Sequence, residues 1–244
     1  MWRELVDLVL PVPCAGCGRD EGPLCPVCAR HALDTEPRPV PAAARPGGGL
    51  PDVCVAAGAY RGALRSALIA YKERGRRSLA GPLGALLAAA VANAVAGSGV
   101  PAARWVLVPV PSSAAAVRAR HGDHLVRLAR RAANTLRQRR IDACVAPLIT
   151  MRRTPAESVG LSAAQRRVNI AGAFAPAHRA AGYLAGPLPG GTAIVLVDDI
   201  VTTGATLTEA CRAALAAGLP VPVAAVIAAT PHPGASTDPV SYGK

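Results

Sequence analysis

The chain has 244 residues, of which 51% are hydrophobic and only 3% aromatic. This length allows one substantial domain and a small one, and the composition excludes a core built on aromatic rings, so Ala, Val and Leu must fill it. The formal net charge of +12 rests on Arg, because only two of the 27 basic residues are Lys, namely Lys72 and Lys244.

The arginines are concentrated in one part of the chain. Between Ser112 and Arg179, 13 arginines accompany three acidic residues, which leaves a local net charge of +10. A concentration of this kind is typical of proteins that bind polyanions, here either pyrophosphate or nucleic acid. Solvation of helix faces explains most of the individual arginines equally well.

The sequence contains no evident targeting or membrane segment. Residues 1–10 are too short for the apolar region of a secretory signal and include Glu4 and Asp7. The most apolar run, residues 83–96, contains Asn93 and falls short of the ~20 residues that a bilayer span needs. We therefore expect a cytoplasmic protein without a membrane span.

Two Cys-x-x-Cys pairs follow a short amphipathic helix predicted over residues 2–10. Cys14 and Cys17 form the first pair, and Cys25 and Cys28 the second. Four thiolates at this spacing can hold Zn²⁺ tetrahedrally in a segment that is too small to fold without metal. The alternatives are two disulfides, which a reducing cytosol disfavours, and free thiols. A closed four-thiolate site leaves no position for a substrate, so the predicted zinc is structural.

Composition divides the chain into four predicted parts. Residues 1–34 are expected to form the zinc knuckle or ribbon, and residues 35–52, rich in Pro and Gly, a linker. Residues 53–235 form the main domain, and residues 236–244 a flexible tail.

Strand-like and helical patterns alternate in the main domain. The strands are expected at 53–60, 105–110, 144–149, 194–197 and 221–229. The helices are expected at 61–74, 79–96, 114–140 and 207–217. This alternation predicts an α/β fold in which helices flank a parallel sheet.

Residues 194–207, with the sequence IVLVDDIVTTGATL, combine three chemical features. Residues 194–197 are typical of a buried parallel strand, and Asp198 and Asp199 follow where that strand is expected to end. Two adjacent carboxylates accept hydrogen bonds from sugar hydroxyls or hold Mg²⁺ through water. The helix that follows opens with a turn whose backbone N–H groups favour a phosphate. That turn consists of Thr202, Thr203, Gly204, Ala205 and Thr206. The pattern predicts a ribose 5-phosphate site, and an ordinary strand–turn–helix is the alternative.

This motif resembles the binding motif of type I phosphoribosyltransferases, which hold phosphoribosyl pyrophosphate (PRPP) with Mg²⁺. The resemblance implies that Asp198 and Asp199, the candidate catalytic residues, contact the ribose hydroxyls, and that residues 202–206 wrap the 5-phosphate. It also implies a pyrophosphate loop after the first core strand, where the chain has Val-Pro-Val-Pro at 108–111. The PRPP-binding residues expected in that loop are Val110, Pro111 and Ser112. Residues 151–171 occupy the place of the loop that closes over PRPP in that family.

A zinc knuckle before such a domain resembles the layout of the ComF family, which is associated with DNA uptake in natural competence. Further matching stretches are residues 60–65 running on to Lys72, residues 108–111, 161–162, Arg166, Asn169 and 172–174. The resemblance thus covers nearly the whole chain. The chain differs from the family pattern at residues 120–124 and 157–158. We expect His121 and His124, in the first of these stretches, to be polar surface residues.

Two functions are compatible with these features. The first is an accessory factor in DNA uptake or handling, which binds PRPP as a ligand and single-stranded DNA through residues 112–179. The second is an active PRPP- and Mg²⁺-dependent phosphoribosyltransferase that acts on an unidentified nucleobase or related acceptor. Phe174 is the only Phe and the chain has two Trp, which is too few for an array that stacks single-stranded bases. DNA binding would therefore be directed to the phosphate backbone.

Overall fold

A six-stranded sheet is the centre of the fold. The computed structural model describes residues 12–33, 37–40, 51, 53–156, 162–178, 180 and 191–230. The strands of this sheet are β1 (Arg38–Pro39), β2 (Val53–Ala59), β3 (Arg104–Pro109), β4 (Asp142–Val145), β7 (Thr192–Val201) and β8 (Val223–Ala229). Their order is β1-β2-β8-β7-β3-β4. Every neighbouring pair is parallel except β1 and β2. The predicted α/β class with a mostly parallel sheet is confirmed.

Two short strands form a separate antiparallel sheet beside the main one. They are β5 (Ile149–Met151) and β6 (Phe174–Pro176), with Thr150 opposite Ala175. Residues 144–149 therefore do not form one strand as predicted, because Val145 ends β4 and Ile149 begins β5. Pro147 lies between them and has no N–H to donate to a strand ladder.

Seven helices are described. They are α1 (Pro26–Leu33), α2 (Gly62–Lys72), α3 (Ala80–Ser98), α4 (Ala114–Ala119), α5 (His124–Gln138), α6 (Ala163–Ile170) and α7 (Ala205–Ala216). Helix α3 packs against β2, β8 and α5. Its contact with α5 is close, since a Cβ added to Gly84 would lie 2.4 Å from Arg131 Cβ.

Helix α3 is also strongly apolar. Together with a preceding 3₁₀ turn it forms the stretch Arg77–Ser98, which is longer than the apolar run at 83–96. Length and composition alone would let this stretch cross a membrane, and it is the one such helix among the described residues. However, 61% of its most apolar window is buried inside the protein, as in a core helix packed on a sheet.

The region 114–140 forms two helices rather than the single predicted helix. His121 and Gly122 between them have φ values of 51° and 132°, which a right-handed helix does not allow. Asp123 then starts the second helix, because its carboxylate accepts the backbone N–H groups of Leu125 and Val126. This break places His124 at the beginning of α5, where it faces the interior.

Some segments predicted to be loops contain regular structure, and other predicted segments lie outside the described residues. The linker predicted at 35–52 contains β1, and the loop predicted at 151–171 contains α6. The helix expected at 2–10, the tail at 236–244 and residues 157–158 lie outside the described residues. The domain boundaries after residues 34, 52 and 235 stay predictions.

The carboxyl ends of the central strands lie at one edge of the sheet. In the β3–β7 pair, Pro109 is opposite Val197, and the Val110 N–H donates to the Val197 carbonyl at 3.0 Å. The loop after β3 therefore begins beside Asp198. Such an edge is where open α/β sheets bind their ligands.

Candidate functional site

Strand β7 runs through the acid pair instead of ending before it. Asp198 and Asp199 are both buried, with 9% and 5% of their surface exposed. Successive side chains of a strand point to opposite faces, and the two carboxylates accordingly have different surroundings. Asp198 lines a small pocket with the turn at 202–206, whereas Asp199 contacts α2 and α5.

Asp199 is held by two donors at one oxygen. The Lys72 ammonium lies 2.9 Å from Asp199 Oδ2, and His124 Nε2 donates to the same oxygen at 2.8 Å. Burial alone would raise the pKa of Asp199, but the His124 hydrogen bond and the Lys72 charge outweigh it, so this pKa lies below its usual range. Burial alone would lower the pKa of Lys72, but the Asp199 charge outweighs burial and raises that pKa. Asp199 and Lys72 therefore form a buried ion pair.

Asp198 has the opposite electrostatic character. Its Oδ1 accepts the backbone N–H of Asp199 at 2.8 Å. Burial, followed by repulsion from the Asp199 charge, raises the pKa of Asp198 to about 8. Asp198 therefore holds a proton more tightly than Asp199, which is paired with Lys72.

The turn after β7 offers backbone donors to an anion. Gly204 has φ 73°, a left-handed conformation that favours glycine, and as the N-cap residue it makes no side-chain bond to the first N–H groups of α7. The pocket beside this turn has a volume of about 20 Å³ and is lined by Asp198, Ile200, Val201, Thr202, Gly204, Ala205, Thr206 and Leu207. Thr203 is half-buried in the same turn but does not line this pocket. The structure thus brings Asp198 and four residues of the predicted turn together.

A larger cavity of about 610 Å³ opens beyond the end of β3. Pro111 and Ser112 line it, whereas Val110 is buried beside β7. Strand β5 and the three residues after it, from Ile149 to Thr154, also line the cavity. Three cationic side chains line the cavity: Arg118, Arg152 and Arg153. Its one acidic lining residue, Asp123, is already engaged in capping α5 and lies 3.4 Å from the Ser112 hydroxyl. The cavity is therefore suited to an anion.

Helix α7, which follows the turn, carries a salt bridge that is hydrogen-bonded to strand β6. Glu209 on α7 pairs with Arg212 at 2.7 Å, and Arg212 also donates to the Phe174 carbonyl on β6 at 3.1 Å. Burial would raise the pKa of Glu209, but Arg212 outweighs it and lowers that pKa. The β5–β6 sheet and α7 are thereby joined.

The four predicted zinc ligands form one cluster near the N-terminus. The Sγ atoms of Cys14, Cys17, Cys25 and Cys28 all lie within 4.8 Å of one another. Cys14 Sγ accepts the N–H groups of Gly16 at 3.4 Å and Cys25 at 3.2 Å. Four such thiolates can hold a metal ion such as zinc in a closed site. The prediction that the four cysteines come together at one possible metal site is confirmed.

The pKa values of two of these thiols, those of Cys14 and Cys28, are shifted in opposite directions. Burial would raise the pKa of Cys14, but backbone N–H groups, first of all that of Cys25, lower it to about 6. Burial and the neighbouring thiols raise the pKa of Cys28. A divalent cation is therefore the group that would allow all four thiolates to exist together.

The cysteine cluster packs directly on helix α2. A Cβ added to Gly16 would lie 2.7 Å from Cys28 Sγ and 2.8 Å from Ala63 Cβ, near the beginning of α2. Arg76, beyond the end of α2, donates to the Pro13 carbonyl. Helix α1 adds contacts to α2 and β2. Helix α2 thus has the cysteine cluster near its first turn and Lys72 at its last residue.

Sequence reasoning missed two residues of this site. His124, expected at the surface, is 7% exposed and bonded to Asp199. That expectation was wrong, because the break at residues 121–122 turns the start of α5 inward. No sequence pattern assigned Lys72 a role in the site. The signal that could have found it is compositional, since it is one of two lysines in an Arg-rich chain.

The arginines between residues 112 and 140 have different roles. Arg118 lines the cavity, but Arg120 donates to the Lys72 carbonyl at 3.1 Å and lies 3.6 Å from Glu73. Arg137 donates to the Ala143 carbonyl at 3.0 Å and so ties α5 to β4. Arg139 and Arg140 are exposed.

A scan against protein-family models found no match for this chain, and a search of curated proteins found none with significant similarity.

Proposed function

We propose that this chain binds PRPP, with Mg²⁺, at the carboxyl edge of its central sheet. The observation that carries the proposal is the meeting of three features at that edge. These are the buried acid pair, the turn around Gly204 without a side-chain cap, and the cationic cavity after β3. Each one matches a different part of the ligand.

The parts of PRPP can be assigned by their chemistry. The 5-phosphate suits the turn at 202–206, where the helix N-terminus favours an anion. The ribose hydroxyls suit Asp198 and Asp199, which also can hold Mg²⁺ through water. The pyrophosphate suits the cavity beside Ser112, where Arg118 and Arg152 supply positive charge.

The resemblance of residues 194–207 to the type I phosphoribosyltransferase motif supports the same ligand. The zinc knuckle supports membership of the ComF family, and with it an accessory role in DNA uptake or handling in the cytoplasm. The exposed Arg139 and Arg140 support this role by offering phosphate contacts outside the proposed PRPP site.

Phosphoribosyl transfer is the second candidate function. A transferase must hold an acceptor in line with the sugar carbon that loses pyrophosphate. The cavity is large enough for an acceptor, which favours this function, but its lining residues include no aromatic ring on which a nucleobase could stack. We therefore place ligand binding first and transfer second.

Calorimetric titration of PRPP with Mg²⁺ tests the binding proposal. Above about pH 8, where Asp198 as well as Asp199 is ionised, replacing either residue by Asn should weaken binding by roughly 1.5–3 kcal/mol, as for other hydrogen bonds to charged groups. Asp142→Asn is the matched control, because Asp142 is exposed and pairs with Arg104 at the amino end of β4. Unchanged affinity in both site variants would refute the assignment of the acid pair.

Pyrophosphate release separates the two functions. Wild-type protein is incubated with PRPP, Mg²⁺ and a panel of nucleobases. Release that depends on one base would establish a transferase. Binding of PRPP without release would support the accessory role.

A further inference from the structure

Three side chains from three elements meet at a single carboxylate oxygen. Lys72 ends α2, His124 begins α5, and both contact Asp199 Oδ2 on β7, at 2.9 and 2.8 Å. The Lys72, His124 and Asp199 side chains are 23%, 9% and 7% exposed. We propose that Lys72 and His124 are positioning residues that orient Asp199 toward one ribose hydroxyl, so that the site selects ribose phosphates over deoxyribose phosphates. This inference rests on the proposed function.

The geometry favours a role in orientation over simple charge balance. One cation is enough to neutralise Asp199, yet a second donor is bonded to the same oxygen. Two donors from different helices fix the rotation of the carboxyl group, and neither of these contacts uses Oδ1. A hydroxyl acceptor held in this way loses little freedom when the ligand binds.

The two donors are themselves held in place. The Arg120 side chain donates to the Lys72 carbonyl at 3.1 Å and so ties the end of α2 to the loop before α5. The Tyr71 hydroxyl donates to the His124 carbonyl at 3.0 Å. Because Tyr71 and Lys72 are neighbours in α2, these bonds fix α2 and α5 relative to each other at the site. Supporting bonds of this kind are typical of preorganised binding sites.

The inference assigns a specificity to the site. A hydroxyl that donates to an oriented, ionised carboxylate contributes strongly to affinity, and a ligand without that hydroxyl leaves the buried acceptor unpaired. Loss of either donor should remove this discrimination, whereas affinity for the phosphate group at residues 202–206 should persist. If the ion pair were purely structural, its loss would weaken the binding of every ligand equally.

Dissociation constants of four probes test the inference. They are ribose 5-phosphate, its 2-deoxy and 3-deoxy analogues, and inorganic phosphate. For wild-type protein, at least one deoxy analogue should bind roughly 10- to 100-fold more weakly than ribose 5-phosphate. In Lys72→Met and in His124→Leu that ratio should fall to about threefold or less, with phosphate affinity unchanged. Lys72→Arg, which keeps a cationic donor, should restore much of the ratio.

Matched controls use residues of the same type elsewhere in the chain. Lys244→Met and His178→Leu should leave all four constants unchanged, because His178 is exposed and neither residue is among those assigned to the ligand. Preserved deoxy ratios in folded Lys72→Met or His124→Leu protein would overturn the inference, and so would equal losses for all four probes. Failure of wild-type protein to bind ribose 5-phosphate would instead overturn the proposed function itself.

Discussion

Lys72 Nζ lies 2.9 Å from Asp199 Oδ2, and this contact joins the last residue of α2 to the strand that carries the acid pair. The same helix contacts the cysteine cluster near its first turn, where Ala63 faces Gly16 and Cys28. One helix thus separates the candidate metal centre from the candidate ligand site.

The first prediction concerns zinc. Metal analysis of purified, reduced protein should find about one zinc per chain, bound by the four thiolates. Gly16→Ala should weaken zinc retention against a chelator and reduce stability by roughly 1–3 kcal/mol, because its new Cβ would lie 2.7 Å from Cys28 Sγ. Gly97→Ala is the control, since the nearest atom to its Cβ would be 4.0 Å away. Folded protein without zinc and with four freely titrating thiols would refute the metal centre.

The second prediction concerns the pH dependence of stability. Since the pKa of Asp198 is raised to about 8, the folded chain keeps this proton where the unfolded chain has lost it. Wild-type stability should therefore fall as pH rises from about 4 to about 8, and Asp198→Asn should remove this fall. Between about pH 6 and about pH 9, wild-type protein should lose roughly 1–3 kcal/mol relative to the variant.

Chemical denaturation at several pH values provides the measurement for Asp198. Asp142→Asn serves as the control, because Asp142 is exposed. Identical pH profiles for wild-type and Asp198→Asn protein would show that Asp198 titrates normally.

The third prediction concerns the contact between α3 and α5. Gly84→Ala should destabilise the fold by about 1–3 kcal/mol, because the new Cβ would lie 2.4 Å from Arg131 Cβ and 3.3 Å from the Ala132 nitrogen. Gly81→Ala, one turn earlier in α3 and with no atom within 4 Å, should be neutral or stabilising by up to ~1 kcal/mol. Denaturant midpoints of the two variants should thus move in different directions. Equal behaviour would mean that the helices are not in close contact at Gly84.

The fourth prediction concerns single-stranded DNA. Affinity should fall with salt, with a slope of about −0.7 per phosphate contacted on a log–log plot. Replacing Arg139 and Arg140 together by Gln should make this slope shallower by roughly 1.4. Arg137 is not a suitable test position, because its bond to the Ala143 carbonyl is structural.

The control for DNA binding changes the same amount of charge elsewhere. Arg19→Gln with Arg38→Gln removes two exposed arginines outside residues 112–179 and should leave the slope unchanged. PRPP affinity should be the same in both double variants. Absence of salt-dependent binding by the wild-type protein would remove the DNA role and leave phosphoribosyl transfer as the leading function.

Local patterns were enough to predict the elements that depend on neighbours in the chain. Cysteine spacing indicated the cluster at 14–28, because each of the two Cys-x-x-Cys knuckles brings two of the four thiolates of a tetrahedral site together. The alternation of β-branched runs and helical patterns indicated the parallel sheet, and most predicted ends lie within a few residues of the observed ones. The motif at 194–207 correctly joined a buried strand, two acids and a helix that begins after Gly204.

Long-range packing decided what surrounds those elements. Asp198 and Asp199 are adjacent and chemically identical in the sequence, but strand alternation gives them different surroundings. Asp198 has a raised pKa, whereas Asp199 forms an ion pair with Lys72. Lys72 and His124 reach Asp199 only because α2 and α5 pack at the same edge of the sheet. A periodic pattern records which face of a helix is apolar but not which strand that face meets. The motif was therefore readable from the sequence by itself, whereas the partners that determine its electrostatics required the tertiary structure.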